Sequence, residues 1–227
     1  MWKSFRKSGT IQSDAGRIEA AAPRNHNPER PEAVDMPNNE DPVLPWRVLE
    51  TRPLFDRRPW LTVWEEDVEL PGGTQIKGYL REVGRDYAMV FAVLPDGTVP
   101  LVCQYKQGIA GPSYDLPAGY LDSPDEPPLH AATRELREET GLIAETWRTL
   151  SHAVVDSNRG DTRAHLFLAL DARPGGAQEL DPSEALEVSF HTPADLREMV
   201  TSGVINSLAS VAAIMTALDA LRSEEHP

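Results

Sequence analysis

Three glutamates near the end of one short predicted helix constrain this chain more than any other feature. Glu135, Glu138 and Glu139 lie on one helix face, because residues three and four apart are neighbours. Such a cluster repels itself unless a cation neutralises it, and an all-oxygen set suits a hard ion such as magnesium. Arg134 precedes Glu138 by one turn and is expected to hold it. The alternative is an ordinary solvated helix face with mixed charges.

The residues on either side of the cluster define the limits of this helix. Pro127 and Pro128 suit its first turn, and Gly141 suits the left-handed residue that follows its last turn. Side chains with capping oxygens precede it, at Asp122, Ser123 and Asp125.

An apolar stripe predicts which face of the helix docks on a core. Leu129, Ala132 and Leu136 recur at helical spacing. Glu139 falls beside this stripe, so we expect it to be partly buried, where an unpaired charge is costly.

The spacing of these residues resembles the signature of Nudix hydrolases, G-x5-E-x7-R-E-U-x-E-E-x-G-U, in which U is aliphatic. Glu126, residues 134–136, the following glutamate pair and Gly141 all keep its register. One residue is extra, since six rather than five separate Gly119 from Glu126, and Asp125 is the alternative first acid. An insertion in a loop costs little compared with one in a helix. Residues 119–142 are therefore identified as a Nudix box.

The resemblance implies a metal site and its ligands. It implies that Glu135, Glu139 and the backbone carbonyl of Ala118 bind magnesium, with manganese as an alternative. Glu138 is expected to bind a second ion or to orient Arg134, and both are candidate catalytic residues. Magnesium that bridges pyrophosphate oxygens offsets their charge and lowers the pKa of an attacking water.

The resemblance also implies that the general base, or a further metal ligand, comes from the acidic loop before the final strand. Glu184 is the favoured candidate, with Glu179 and Glu187 behind it. Glu179 follows Gly175 and Gly176, in a segment that we expect to be too mobile to fix a proton acceptor. The alternative for each is a solvated acidic loop.

The flanking sequence resembles the ADP-ribose pyrophosphatase branch of the family. Residues 101–106 and 115–119 are similar to a Q-Y-R strand that leads into E-L-P-A-G, with Lys106 in the arginine position. The N-terminal module also resembles that branch, in which it forms part of a homodimer interface and offers aromatic rings to adenine. Trp60 stands at such a position, although a plain strand tryptophan is the alternative.

The predicted substrate is therefore a nucleotide sugar, and ADP-ribose is favoured. Candidate substrate contacts are Trp60, Arg81, Lys106, Gly119 and Arg159. The loop after the box lacks the proline that ADP-ribose enzymes often carry, so a UDP- or GDP-sugar remains an alternative. A second alternative is a non-catalytic, nucleotide-sensing Nudix domain, but a pure binder has no need of the full carboxylate set.

Composition and charge exclude some classes of binding partner. The 227 residues carry a formal net charge of −14, which argues against nucleic acid, since such binding requires a basic face. A single cysteine, Cys103, suits a reducing cytoplasm. No apolar run reaches the roughly 20 residues of a membrane span, and the N-terminus lacks the apolar segment of a secretory signal.

The chain is expected to divide near Pro45. Residues 1–44 predict a disordered tail, with an arm that orders on a dimer partner as the alternative. Residues 45–227 predict one Nudix domain of α+β class, a mixed β-sheet sandwiched between helices, which begins with an antiparallel strand module at 45–85. Its last helix, 206–221, carries an apolar face formed by Leu208, Val211, Ile214, Met215 and Leu218.

Overall fold

The computed structural model describes residues 43–180 and 185–225. Glu184 and all but the last two residues of the predicted N-terminal tail lie outside these ranges.

An antiparallel sheet opens the described chain. Its three strands follow one another in sequence: β1 (Arg47–Arg57), β2 (Leu61–Glu69) and β3 (Gln75–Val83). The β2–β3 turn places Gly73 at a φ of +82°, a conformation that glycine adopts without strain. This sheet is the predicted N-terminal strand module.

Nine further strands and three helices follow among the described residues. They are β4 (Tyr87–Ala92), β5 (Val99–Lys106), β6 (Gly111–Asp115), β7 (Ala118–Tyr120), α1 (Pro128–Thr140), β8 (Leu142–Ile143), β9 (Thr146–Val154), β10 (Arg163–Leu170), β11 (Arg173–Pro174), β12 (Leu186–His191), α2 (Pro193–Thr201) and α3 (Leu208–Glu225).

Strands β4 and β10 form the centre of the second sheet, whose order is β7-β4-β10-β9. The β4–β10 pair is parallel and its two outer neighbours are antiparallel, so this sheet is mixed. Strands β12, β5 and β6 form a separate antiparallel sheet, and β11 pairs with β8.

Both faces of β4 are covered, because its successive side chains point in opposite directions. Ala88, Val90 and Ala92 pack into one apolar cluster, which contains the buried face of α1. Met89 and Phe91 pack into the other, with residues from α2 and α3. The mixed sheet therefore lies between helices, which confirms the predicted α+β architecture.

The predicted caps of α1 are confirmed at its C-terminus and wrong at its N-terminus. Gly141 follows the last turn with a φ of +69°, and its N–H donates to the carbonyl of Arg137. Pro127 occupies the N-cap position, and no side chain caps the helix there. The predicted apolar stripe is correct at Leu136, which is fully buried, but wrong at Leu129, which is 41% exposed.

The predicted apolar face of α3 is also only partly correct. Ile214 and Leu218 are buried as expected, whereas Leu208 and Met215 are exposed. Two small residues, Ala213 and Ala217, are buried instead. They lie one turn apart, so their short side chains let this face of the helix approach the sheet.

Candidate active site

Helix α1 presents its glutamates at the boundary between core and pocket. Glu135 is 8% exposed and Glu139 is 3% exposed, while Glu138 is half-buried. The same helix contributes Leu136 to the apolar core below the sheet. Because the core fixes the rotation of the helix, it also fixes the position of the carboxylates.

Strand β7 lies directly against these carboxylates. The N–H of Ala118 donates to Oε2 of Glu139 at 2.9 Å, which ties the strand to the helix. A Cβ atom at Gly119 would lie only 1.9 Å from Oε1 of Glu135. Glycine is therefore required at this position because the Glu135 carboxylate fills the space of a side chain.

Arg134 organises the cluster through several contacts. Its Nη1 donates to Glu135 at 2.6 Å and to Glu138 at 3.3 Å, and its Nη2 donates to the carbonyl of Tyr120 at 3.1 Å. Burial lowers the pKa of Arg134, but the Glu135 and Asp122 carboxylates more than offset this, so the guanidinium is charged. It orients Glu135 as well as the predicted partner Glu138.

Glu126 supports the same arginine from the loop that carries the extra residue. Its Oε2 lies 3.8 Å from Nη2 of Arg134 and accepts the N–H of Asp122 at 2.5 Å. Its Oε1 lies 2.8 Å from the ring of His130. Burial opposes ionisation of Glu126, but these contacts outweigh it and hold its pKa below the usual range. The insertion is thus absorbed within the loop, ahead of Glu126.

The donor set fits a hard divalent cation. It consists of the Glu135, Glu138 and Glu139 carboxylates beside the backbone of Ala118, all oxygen ligands. Across residues 43–180 and 185–225, no three acidic, histidine or cysteine side chains already converge as a metal centre. Arg134 and the N–H of Ala118 engage the carboxylates instead. The residues are therefore suitable, with side-chain rotations needed to gather them around an ion.

The cluster opens into a cavity of about 880 Å³. This volume lies within the usual range for small-molecule sites. Predicted contact residues Trp60, Lys106 and Gly119 line it together with the glutamates.

One edge of the cavity is aromatic. The guanidinium carbon of Arg85 lies 5.4 Å from the ring centre of Trp60 and 4.9 Å from that of Tyr120. Tyr120 also makes edge contacts with Trp60 and with Tyr87. Trp60 and Tyr120 are 64% and 49% exposed, so ring surface remains accessible to a ligand.

A second edge of the cavity is polar and is formed by β5, β6 and the start of α3. Asp115 and Ser210 line the cavity there and are hydrogen-bonded to each other, and Gln104 and Lys106 line it from β5. Tyr87 also lines the cavity, and burial raises its pKa, as do the charges of Tyr120 and Asp115.

Two predicted substrate contacts are not among the residues that line the cavity. The Nε of Arg81 pairs with the buried Glu66 at 2.9 Å within the N-terminal sheet. The loop of Arg159 is fixed to β3, since the carbonyl of Arg159 accepts the N–H of Glu82 at 2.6 Å and Gly160 bridges to Glu82. In this chain, neither arginine is brought to the glutamates.

Glu179 lies at the rim of the cavity and is held there. Its N–H donates to the carbonyl of Glu138 at 3.0 Å, and its carboxylate pairs with Arg137 at 3.0 Å. These two contacts anchor Glu179 in the structure, and the expected mobility of its segment stays a prediction. Glu184 lies outside the described residues, and Glu187 belongs to β12.

Sequence reasoning missed most of the two edges. Arg85, Tyr87 and Tyr120 form the aromatic edge with Trp60, and Ser210 joins Asp115 across the molecule. Tyr120 carried a signal because it directly follows Gly119 at the start of the box, and Asp115 carried one because it begins the motif at 115–119. Arg85 and Ser210 lie far from the box in sequence and enter the site only through tertiary packing.

Two family matches cover most of the described chain. Residues 84–210 match the NUDIX domain, and residues 46–79 match the nucleoside diphosphate sugar hydrolase N-terminal domain. Among the described residues, none of the helices has the length and apolarity needed to cross a membrane.

The relatives include two enzymes described as ADP-ribose pyrophosphatases. One, from Mycobacterium tuberculosis, is 34% identical over 148 residues, which are 63% of this chain and 70% of the relative. The other, from Bacillus subtilis, is 32% identical over 145 residues, which are 63% of this chain and 76% of the relative.

A solved structure of an ADP compounds hydrolase shares the fold. It superposes with a TM-score of 0.72 over 82% of this chain and 100% of its own, at 21% sequence identity. At this identity the likeness supports the architecture alone.

Proposed function

Because the chain belongs to the Nudix hydrolase family and resembles its ADP-ribose pyrophosphatases, we propose the following reaction. The enzyme hydrolyses the pyrophosphate linkage of a nucleoside diphosphate sugar with magnesium, and its preferred substrate is ADP-ribose, which yields AMP and ribose 5-phosphate. The observation that carries this proposal is a carboxylate cluster that opens into a cavity with one aromatic and one polar edge.

The metal ligands in this proposal are Glu135, Glu138, Glu139 and the carbonyl of Ala118. A bound magnesium ion supplies charge neutralisation of the pyrophosphate and a more acidic attacking water. Arg134 holds Glu135 and Glu138 in place, so its catalytic role is to position the carboxylates.

The nucleoside base is proposed to stack at the aromatic edge. Trp60 and Tyr120 expose ring surface there, and Arg85 lies against both rings. Stacking on an aromatic face is worth about 1–3 kcal/mol per base and is tolerant of base identity. Lys106 and Gly119 remain proposed substrate contacts because both line the cavity.

The general base is proposed to be Glu184. Glu179 is the comparison residue, since it lies at the cavity rim but pairs with Arg137. We expect Glu184→Gln to lower turnover by about a hundred- to ten-thousandfold, the usual contribution of a general base. Glu179→Gln should cost far less, with both melting temperatures near wild type. If kcat fell equally in the two variants, the general base would be a residue other than Glu184.

A homodimer is proposed to form through the N-terminal sheet. Apolar side chains on this sheet are exposed, among them Val48 at 51%, Leu54 at 58% and Phe55 at 46%. Exposed apolar surface of this kind is typical of association sites. Light scattering of a chain that starts at Asp41 tests the proposal, and a monomer at micromolar concentration would contradict it.

The substrate proposal is tested with a panel of nucleotide sugars and dinucleotides. Each is incubated with the full chain and magnesium, and products are identified by chromatography and mass. ADP-ribose should give the highest kcat/KM and the products AMP and ribose 5-phosphate. The activity should disappear with a chelator and return with magnesium, and manganese is included as the alternative ion.

Two outcomes would change this assignment. Faster cleavage of a UDP- or GDP-sugar would keep the reaction and replace the substrate. Tight nucleotide binding without cleavage of any compound would favour a nucleotide-sensing domain. The intact glutamate set favours catalysis, because a nucleotide can be bound without three clustered carboxylates.

A further inference from the structure

The polar edge of the cavity contains a buried pair that the proposed reaction does not use. Oγ of Ser210 donates to Oδ1 of Asp115 at 2.6 Å, and Ser210 is fully buried. A buried hydroxyl is costly unless it is paired, and this one fixes a carboxylate at the cavity wall. An ionised carboxylate offers about four acceptor positions, of which Ser210 uses one. Asp115 therefore keeps acceptor capacity toward the cavity.

The position of Asp115 relative to the carboxylate cluster indicates what it faces. Asp115 comes three residues before Ala118, and Tyr120 comes two residues after it. Asp115 pairs with Val102 in the β12-β5-β6 sheet, whereas Tyr120 pairs with Tyr87 in the central sheet. Ala118 thus lies between Asp115 and Tyr120 along the chain, and a ligand whose diphosphate lies at Ala118 has Asp115 within about 10 Å along the backbone.

The groups beside Asp115 are suited to hydroxyls. Gln104 lies two residues along β5 from Val102, the residue that pairs with Asp115, and offers amide donors and an acceptor. Lys106 lies two residues farther along β5 and adds ammonium donors to the same cavity. A sugar hydroxyl both donates and accepts, so it can donate to Asp115 while it accepts from Gln104. A further phosphate would instead be repelled by the Asp115 carboxylate, which selects against nucleoside triphosphates.

We propose that Asp115, held in place by Ser210, is a specificity-determining residue that binds the hydroxyls of the sugar in the leaving group. This inference rests on the proposed function and deepens it. It assigns the preference for an uncharged, polyhydroxylated sugar over a further phosphate to one oriented carboxylate. The competing explanation is structural, in which Asp115 only anchors the first turn of α3.

The variant Asp115→Asn separates these roles. Its amide oxygen can still accept from Ser210, so the anchor on α3 is retained, but the charged acceptor for sugar hydroxyls is lost. Isothermal titration of the full chain in magnesium buffer measures binding of ribose 5-phosphate, AMP and ATP. The matched control is Asp161→Asn, the same change at an exposed loop position that does not line the cavity.

Asp115→Asn is expected to change the affinities for ribose 5-phosphate and for ATP in opposite directions. Ribose 5-phosphate should bind about ten- to a hundredfold more weakly to Asp115→Asn, as for loss of a hydrogen bond to a charged group. AMP affinity should be unchanged, and ATP should bind more tightly. Asp161→Asn should match wild type with all three ligands, and the melting temperature of Asp115→Asn should stay near wild type.

Several outcomes would overturn the inference. These are unchanged ribose 5-phosphate binding, an equal loss for ribose 5-phosphate and AMP, or wild-type protein that binds no sugar phosphate. Failure of the proposed function has a different signature, which is absence of nucleotide sugar hydrolysis in the substrate panel. If ribose 5-phosphate binding still depends on Asp115 in that case, the sugar site stands without the reaction.

Discussion

The N-terminal sheet and the central sheet are stabilised in opposite ways. In the central sheet, residues such as Phe91 and Leu168 are fully buried between helices. In the N-terminal sheet, Arg52 on β1 forms ion pairs with Glu65 and Asp67 on β2, and apolar side chains remain exposed. The central sheet is thus closely packed on both faces, whereas the N-terminal sheet combines polar contacts that water competes with and apolar side chains that remain exposed.

This difference matches the tasks proposed for the two regions. Catalytic carboxylates must be placed to a fraction of an ångström, which a densely packed core achieves. Glu139 takes its position from α1 and β7, both of which pack on that core. Trp60, at the β1–β2 turn, is exposed and available for recognition. In the proposed function, the packed region thus holds the catalytic carboxylates, and the N-terminal sheet contributes the exposed ring of Trp60 to binding.

The largest expected effect is on turnover. Glu139→Gln should lower kcat by about two to three orders of magnitude, because charge that stabilises the transition state is lost. The fold should persist, since the amide oxygen can still accept the N–H of Ala118. Glu65→Gln, the same change in the N-terminal sheet, is the control and should turn over like wild type. A near wild-type kcat for Glu139→Gln would show that Glu139 is not a metal ligand needed for catalysis.

A second prediction tests stability in the two sheets. Leu168→Ala should lower the free energy of unfolding by about 2–5 kcal/mol, because it leaves a cavity in a closely packed core. Arg52→Gln should have little effect, because exposed ion pairs contribute weakly. Chemical denaturation measures both variants. Comparable losses would show that the N-terminal sheet depends on its ion pairs as strongly as the central sheet depends on packing.

A third prediction uses a matched pair of glycines. Gly119→Ala should lower kcat by about a hundredfold, because the new methyl group displaces the Glu135 carboxylate. The thermal melting temperature should change little, since the displaced atoms are the end of a flexible side chain. A methyl group added by Gly72→Ala, in the β2–β3 turn, meets nothing within 4 Å, so this variant should behave as wild type. Loss of stability without loss of rate would contradict the assignment.

The smallest expected effect lies at the edge of the central sheet. Burial lowers the pKa of His152, as do the charges of His165 and Arg163. The unfolded chain therefore binds a proton near pH 6.5 while the folded chain does not, so stability falls as the pH drops from 6.5 toward the lower folded pKa. His152→Gln should therefore weaken the dependence of the melting temperature on pH between pH 7 and 5. If that dependence is unchanged in the variant, groups other than His152 cause it.

Short-range sequence patterns determined helix α1, the strands and the cluster of glutamates. The box spacing, Pro128 at the helix start and Gly141 after its end define α1 from sequence alone, because each acts within one turn of helix. Alternating side chains likewise define the strands, and the cluster of glutamates indicates the family. These features need no knowledge of what lies across the molecule.

Tertiary structure decided the remainder. Leu208 and Met215 fit the apolar periodicity of α3, but Ala213 and Ala217 are buried instead, because the closeness of approach to the sheet selects small residues. The hydrogen bond of Ser210 to Asp115 joins residues 95 positions apart, a contact that no local pattern encodes.

Sequence therefore determined the carboxylates and the helix that carries them, since both depend on short-range periodicity. Tertiary structure alone decided which residues face those carboxylates. It brought Arg85 to the rings of Trp60 and Tyr120, and it held the Arg159 loop on β3 and away from the cavity. The physical reason is that pocket walls are assembled from separate elements, whose relative positions follow from the packing of the whole core.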